Sequence, residues 1–197
     1  MNKGDATRAE ILRRSAAVFN TRGYFGTSLA DVMEATGLKK GGIYNHFDSK
    51  DDLAAEAFGY SVDVMRTRWL DAISGKQTAA EQLTAVIDDF CRMRGDPILP
   101  GGCPLLNTAV DSDDAHPALR ARVHDAFALW HGLLTSIVTR GIAAREFRDD
   151  VDAGRVATTI IMSLEGAMAL SGVFEEAKPL EVAREHLHDY IDSEMRR

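Results

Sequence analysis

The chain is poor in the residues and runs that mark several protein classes. Among its 197 residues there are five prolines and two cysteines, Cys91 and Cys103. Two cysteines at this spacing form neither a CxxC metal site nor a disulfide framework, so we expect free thiols in a reducing compartment. No run approaches the roughly 18 apolar residues of a membrane span, and the first residues lack the apolar core of a signal peptide. We therefore expect a cytoplasmic protein with no membrane partner.

The common catalytic and cofactor-binding motifs are also absent. There is no glycine-rich phosphate loop, no HExxH and no GxSxG, and no nucleophile–base pair is evident. His124 and His131 share a helix face, but two imidazoles at that spacing cannot hold one ion without a third ligand. We therefore predict neither an enzyme nor a cofactor nor a metal site. The alternative is an all-helical enzyme or binding protein that has acquired the N-terminal segment described next.

The stretch Thr27–Phe47 has the pattern of two helices joined by a tight turn. Leu29, Val32 and Met33 fall at helical spacing behind a Thr-Ser cap, and Gly37 supplies the positive φ that such a turn needs. A short second helix follows near residue 40. The order of helix, glycine turn and helix predicts a helix-turn-helix.

The second of these helices carries hydrogen-bond donors and no carboxylates. Between Leu38 and Phe47 there is no acidic residue. Residues 1–50 hold eight Lys/Arg and five Asp/Glu, a balance of +3, which leaves fifteen and twenty-five, or −10, for residues 51–197 and gives the net charge of −7. Because the local field attracts phosphates, a basic N-terminal part on an acidic remainder favours nucleic-acid binding in spite of the pI of about 5.3.

Helical spacing of apolar residues continues to the C-terminus, and no strand alternation competes with it. The predicted helices beyond the helix-turn-helix span about 6–21, 50–74, 78–94, 103–111, 117–144, 151–174 and 180–195. We predict an all-α fold of about nine helices. Residues 1–50 form a three-helix head that contains the helix-turn-helix, and residues 51–197 form a larger helical body.

The segment of about residues 7–60 resembles the TetR family of one-component transcriptional regulators (TetR/AcrR-like). The matching positions are Phe19, Gly23, Thr27, Val32, Ala35, Gly37, Tyr44, His46, Phe47, Lys50 and Leu53. The body matches in architecture, and its segment 102–110 is similar to one in some subgroups. The chain departs from the commonest pattern at Met33 and Asn45, which bears on packing and on operator choice.

The resemblance implies a homodimer that binds a palindromic double-stranded operator, most simply as a repressor, and is released by an unknown small-molecule effector. It makes residues 1–50 the DNA-binding domain and residues 51–197 the domain for ligand binding and dimerisation. It assigns DNA contacts to Thr27, Lys39, Lys40, Gly42, Tyr44, Asn45, His46 and Lys50. The side-chain chemistry agrees, because Lys40 can donate to guanine and Asn45 can pair with adenine. Phe47, by contrast, is predicted to lie in the core.

Two sets of body residues are predicted from their helical positions. One set would line a mostly apolar ligand pocket with a few polar groups, and its members are Phe90, Cys103, Asn107, Phe127, Trp130, His131, Met162 and Glu165. The alternative is that these methionine and aromatic side chains belong to the hydrophobic core. A twofold four-helix interface would place Gly166, Ala167, Leu170 and Leu187 near the dimer axis, with burial inside the monomer as the alternative.

Cys103 supports a second functional hypothesis. It precedes Pro104 at a predicted helix N-terminus, where free N–H groups favour a thiolate. The chain could then be a regulator that senses electrophiles or oxidants through Cys103 instead of binding a ligand. A small buried cysteine is the simpler interpretation.

Overall fold

The computed structural model describes residues 3–97, 99–112 and 116–197, and within these ranges it contains nine α-helices and no strand. The helices are α1 (Lys3–Arg22), α2 (Leu29–Thr36), α3 (Lys40–Tyr44), α4 (Lys50–Ile73), α5 (Ala79–Arg92), α6 (Pro104–Ser112), α7 (Pro117–Ala143), α8 (Ala153–Phe174) and α9 (Lys178–Tyr190), and a π-helical turn covers Ile191–Met195. The all-α prediction is confirmed.

Several helices begin where the sequence supplies a capping residue or a proline. Thr78 accepts a hydrogen bond from the Glu81 N–H, and the Glu81 carboxylate accepts one from the Thr78 N–H, which closes a capping box at the start of α5. Ser49 likewise accepts from the Asp52 N–H at the start of α4. Pro104 and Pro117 each stand at the first helical position of their helices, where a missing N–H costs nothing.

The C-terminus differs from the prediction of one helix over residues 180–195. The α-helical part ends at Tyr190, and the Arg196 N–H then donates to Ile191 O, five residues back. The reason is a tertiary contact, because Arg148 N–H donates to Met195 O and Arg197 N–H donates to Glu146 O. The final turn widens so that the tail can pair with the segment after α7.

The chain divides into two compact units. The first unit comprises Met1–Val64 and Ile98–Ala126, and the second comprises Met65–Pro97 and Phe127–Arg197. Helices α4 and α7 each contribute to both. The segment that contains α6 therefore packs with the N-terminal helices. The functional boundary at residue 50 stays a prediction.

Each unit has its own apolar core. In the first unit, buried residues of α1 to α4 form a cluster of Ile11, Val32, Ile43, Phe47 and Leu53. In the second unit, α5, α8 and α9 pack on one another, and the residues with no exposed surface include Leu83, Ile87, Phe90, Trp130, Leu134, Ile160, Leu164 and Leu187. Helix α8 is also long and apolar enough to cross a membrane by length and composition alone, a test that the core helix of a soluble protein passes too.

Candidate nucleic-acid interface

The turn between α2 and α3 has the geometry that the sequence predicts. Ser28 caps α2 by accepting from the Asp31 N–H, and the Asp31 carboxylate accepts in return from the Ser28 N–H and hydroxyl. These hydrogen bonds, with the Arg22 guanidinium nearby, lower the pKa of Asp31. Gly37 ends α2 in the left-handed region at φ 71°, and its N–H donates to Met33 O. The predicted helix-turn-helix is confirmed.

Helix α3 is anchored by its apolar residue and exposes the rest. Ile43 is 1% exposed and belongs to the core cluster of the first unit. Phe47, just beyond the helix, is 2% exposed in the same cluster, which confirms its assignment to the core. Lys39, Lys40, Tyr44 and Asn45 are exposed, and Gly42 and His46 are half-buried.

Two of the predicted contact residues of α3 touch each other. The Lys40 ammonium lies 5.6 Å from the centre of the Tyr44 ring, within the range of a cation–π interaction. The Tyr44 side chain is 36% exposed. A cation and a phenol hydroxyl are thus presented side by side on the solvent face of the helix-turn-helix.

Thr27 and Lys50, the two predicted contact residues farthest from α3 in the sequence, are less accessible. Thr27 is 1% exposed, and its hydroxyl donates to Gly23 O at 2.7 Å, so that its side chain holds the chain before α2. A phosphate contact would require that hydrogen bond to break. Lys50 is half-buried, and its ammonium donates to Tyr24 O at 2.7 Å and lies 4.3 Å from the Tyr24 ring centre. The protein itself therefore holds Lys50 beside the turn.

Tyr24 connects several elements of the first unit, a role that its sequence neighbourhood does not reveal. Its hydroxyl donates to Asp51, its backbone N–H donates to Asp111 at the end of α6, and its ring meets His116 edge-on at 4.7 Å. Burial, together with the hydrogen bond to Asp51, raises the pKa of Tyr24 to about 12. No local sequence signal pairs residue 24 with residue 111, because only the tertiary fold brings α6 to this turn.

Comparison with known proteins shows the family to which the chain belongs. Residues 11–57 match the family described as "Bacterial regulatory proteins, tetR family", and residues 79–187 match "Tetracyclin repressor-like, C-terminal domain". The chain belongs to the TetR family of transcriptional regulators. Its homologues act in transcription regulation and bind DNA through a helix-turn-helix.

Individual relatives match nine-tenths or more of this TetR-family chain. A TetR transcriptional regulator from Chloroflexus aurantiacus is 44% identical over 100% of this chain and 99% of that one, with a TM-score of 0.96. A TetR-family regulator from Cytophaga hutchinsonii is 36% identical over 98% and 96%, with a TM-score of 0.89. The HTH-type transcriptional regulator LmrA of Bacillus subtilis is 26% identical over 91% of this chain and 93% of LmrA.

The predicted pocket residues of this TetR-family regulator are divided between its two units. Cys103 and Asn107 belong to the first unit, and the other six, Phe90, Phe127, Trp130, His131, Met162 and Glu165, belong to the second. Met162 is 63% exposed. The first unit contains a cleft of about 390 Å³, including space open to solvent, and Asn107 is the one predicted pocket residue that lines it.

Three aromatic rings of the predicted pocket set and Trp69 form a stack in the second unit. The Trp130 ring lies 5.0 Å from Trp69, 5.4 Å from Phe90 and 6.4 Å from Phe127, nearly parallel to each. Trp130 has no exposed surface, and its indole N–H finds no acceptor within the described residues. A buried donor without an acceptor is unfavourable in the protein alone.

The cysteines do not favour the thiol-sensor alternative. Cys103 is 1% exposed, and oxidation or alkylation requires an accessible thiolate. Cys91 donates to Leu180 O, and burial raises the pKa of its thiol to about 11. No group of three or more metal-ligating side chains occurs among the residues that the structure describes.

The predicted dimer residues fall into two classes. Leu187 is fully buried and Ala167 is 7% exposed, so both contribute to the core of the second unit. Gly166 and Leu170 lie on the exposed side of α8. More large apolar residues are exposed on α8 and α9 than the sequence pattern indicates, namely Met162, Leu170, Val173, Phe174 and Val182 at 49–77% exposure.

Proposed function

We propose that this TetR-family regulator is a homodimeric repressor that binds a palindromic operator through α3 and is released by a small-molecule effector. The observation that carries the proposal is the solvent face of α3, which presents Lys39, Lys40, Tyr44 and Asn45 with no carboxylate between Leu38 and Phe47. Donors and cations without acids suit phosphate oxygens and the acceptor-rich major-groove edge of guanine.

The exposed residues of α3 divide between base reading and phosphate binding. Lys40 donates to guanine O6 and N7, and the Asn45 amide pairs with adenine. Lys39 and Tyr44 fix the register on the backbone, and His46 faces the major groove. Lys50 joins them through the ammonium hydrogens that Tyr24 O leaves free, and Gly42 faces the groove with no side chain. For Thr27 we retain a supporting role, because its hydroxyl is already bonded within the protein.

A dimer follows from the exposed apolar residues of α8 and α9. Leu170, Val173 and Phe174 lie within one and a half turns of α8, and each is about half exposed or more. Exposed apolar patches on soluble proteins commonly mark interaction sites. A twofold copy of the same face covers them and sets two α3 helices for major grooves about 34 Å apart.

The effector enters the second unit beside Trp130. A ligand with an oxygen or nitrogen acceptor satisfies the buried indole N–H that the protein leaves unpaired. Effector binding favours the conformation in which the two α3 helices no longer fit successive major grooves. It shifts the equilibrium between the two conformations because the effector binds that one more tightly. The regulator acts in the cytoplasm and without catalysis of its own.

The experiment that tests the proposal is the selection of duplexes from a random DNA pool at fixed salt. We expect a palindrome with one G and one A within each half-site that depend on Lys40 and Asn45. Lys40→Ala and Asn45→Ala should each relax the preference at one position. Lys76→Ala, at an exposed lysine of the second unit, is the control and should select the same sequence. Recovery without sequence preference would overturn the proposal.

A further inference from the structure

Helix α3 contains two adjacent glycines, Gly41 and Gly42, within five residues. Neither has a positive φ, in contrast to Gly37 at φ 71° in the preceding turn. Their backbone conformation is one that any L-amino acid adopts. The conformational reason that explains Gly37 therefore does not explain this pair.

Internal packing does not explain the pair either. A Cβ added at Gly41 meets no atom within 4 Å. One added at Gly42 meets the Leu38 side chain at 3.5 Å, which is ordinary van der Waals contact. Alanine is accommodated at both positions of the free protein.

The glycines weaken the helix that contains them. Glycine is among the poorest helix formers because its unfolded backbone has the most freedom to lose. Helix α3 is only five residues long, and Lys39 at its N-cap makes no side-chain capping bond. Alanine at these positions would stabilise this short helix, which has no side-chain cap. The presence of two glycines therefore requires an explanation outside the free protein.

The neighbouring side chains indicate what that reason is. Lys39 and Lys40 precede the pair, Tyr44 and Asn45 follow it, and all four are exposed. The asparagine side chain is short, so its amide reaches a base edge only when the backbone of the helix lies close to the groove floor. Absence of Cβ atoms beside it permits that approach.

We propose that Gly41 and Gly42 determine how deeply α3 enters the major groove, with their Cα atoms lying against DNA where a Cβ would collide. The inference rests on the proposed function, because it assumes that α3 is the helix that reads the operator. It assigns specificity to two residues that have no side chain. When α3 lies deep in the major groove, the short side chain of Asn45 reaches the base edges. When α3 lies farther from the groove floor, it does not.

The test compares Gly41→Ala and Gly42→Ala with Gly132→Ala in the full-length protein. Gly132 is an exposed glycine of α7 where an added Cβ also meets nothing within 4 Å. All three substitutions should raise the melting temperature, by about 2–4 °C each. The two α3 variants should bind the selected operator about tenfold or more weakly, as expected when one base-specific hydrogen-bonded pair no longer forms. Gly132→Ala should keep wild-type affinity.

Binding to a scrambled duplex at the same salt concentration distinguishes a change in how deeply α3 enters the groove from a change in phosphate attraction. We expect the α3 variants to bind it as wild type does, since phosphate attraction is unchanged. Operator binding as tight as or tighter than wild type for Gly41→Ala and Gly42→Ala would overturn the inference, as would a lowered melting temperature. A wild-type protein that selects no sequence would instead overturn the proposed function, so the two failures are distinguishable.

Discussion

The side-chain amide nitrogen of Asn107 on α6 lies within hydrogen-bonding distance of both oxygens of Asn20 on α1, the carbonyl at 3.1 Å and the side-chain oxygen at 3.0 Å, and it also donates to Gly101 O at 2.7 Å. The Asn20 amide in turn donates to Pro100 O at 2.7 Å and to Gly102 O at 3.1 Å. Two asparagines thus fasten the segment before α6, and α6 itself, to α1. These hydrogen bonds help to place α6 in the same compact unit as the N-terminal helices.

Asn107→Ala should destabilise the protein. It leaves Asn20, which is 7% exposed, without its hydrogen-bond donor, and we expect the free energy of unfolding to fall by about 1–3 kcal/mol. Urea unfolding followed by circular dichroism measures the change. Asn45→Ala removes an exposed asparagine and should change the free energy by less than about 0.5 kcal/mol. Equal effects of the two substitutions would show that the asparagine pair contributes nothing.

Lys39→Ala should reduce the salt dependence of operator binding. Removing one phosphate-bound cation lowers the slope of log K against log salt concentration by about 0.9, which is about 2 for a dimer with two heads. Fluorescence anisotropy with the selected duplex at several salt concentrations gives the slope. Lys76→Ala, in an exposed part of the second unit, should leave the slope unchanged. An unchanged slope for Lys39→Ala would remove this residue from the interface.

Leu170→Glu should yield a monomer. The substitution puts a charge among apolar residues of α8 that we propose to be covered by a second copy, and Leu170 is 49% exposed in the single chain, so the fold tolerates it. Light scattering after size exclusion measures the mass. Operator affinity should fall by about 100-fold or more because the second head is no longer linked to the first. Val110→Glu, at a 74% exposed valine of α6, should stay dimeric, and a dimeric Leu170→Glu would contradict the assigned face.

Trp130→Phe should weaken the response to an effector. Phenylalanine keeps an aromatic ring in the stack and removes the unpaired N–H, but the smaller ring leaves a cavity in the core, so we expect the free energy of unfolding to fall by about 1–3 kcal/mol, as it should for the equally buried Trp69→Phe. Effectors are found first by screening compounds for release of the operator. About tenfold more effector should then be needed by the variant. Trp69→Phe is the matched control, and an identical response of both variants would exclude the Trp130 N–H from binding.

Glu10→Gln should make stability less dependent on acid pH. Hydrogen bonds from Arg13 and Arg14 lower the pKa of Glu10 from 4.5 to about 2. Because the folded-state pKa is depressed, the stabilisation is present above pH 4.5 and is lost as the pH falls towards 2. The urea midpoints of wild type and variant should therefore differ at about pH 7 and converge near pH 2. Glu34→Gln, an exposed residue of α2, is the control, and a constant difference across this range would refute the assignment.

Helix positions could be predicted because their signals are local. Capping residues such as Ser28 and Thr78, the prolines at the start of α6 and α7, and the glycine turn at Gly37 all act within about four residues along the chain. Phe47 is assigned to the core for a similar reason, since its apolar ring lies beside Leu53 in sequence as in the cluster. The prediction of the last helix misses its change to a π-helical turn at Ile191–Met195, because that turn depends on contacts with Arg148 and Glu146, far earlier in the chain.

The candidate site is predictable only in part. The exposed face of α3 is a sequence property, because a short helix with one buried residue must expose the others. Burial of the Thr27 hydroxyl and the docking of Lys50 on Tyr24 are not predictable, since both depend on how the turn before α2 packs. The prediction of the pocket residues depends only on which side chains share a helical face, and the structure divides these residues between two units.

The all-α class, the helix-turn-helix and the family can all be predicted from the amino-acid sequence, because helix periodicity, caps and the recognition motif are encoded by residues close together in the chain. Three other features become visible only in the folded chain. Helix α6 is fastened to α1 through Asn107 and Asn20, Leu187 is core while Leu170 is exposed, and Trp130 carries a buried unpaired donor. Burial and hydrogen-bond pairing at these positions depend on segments that are far apart in sequence, so no local pattern records them.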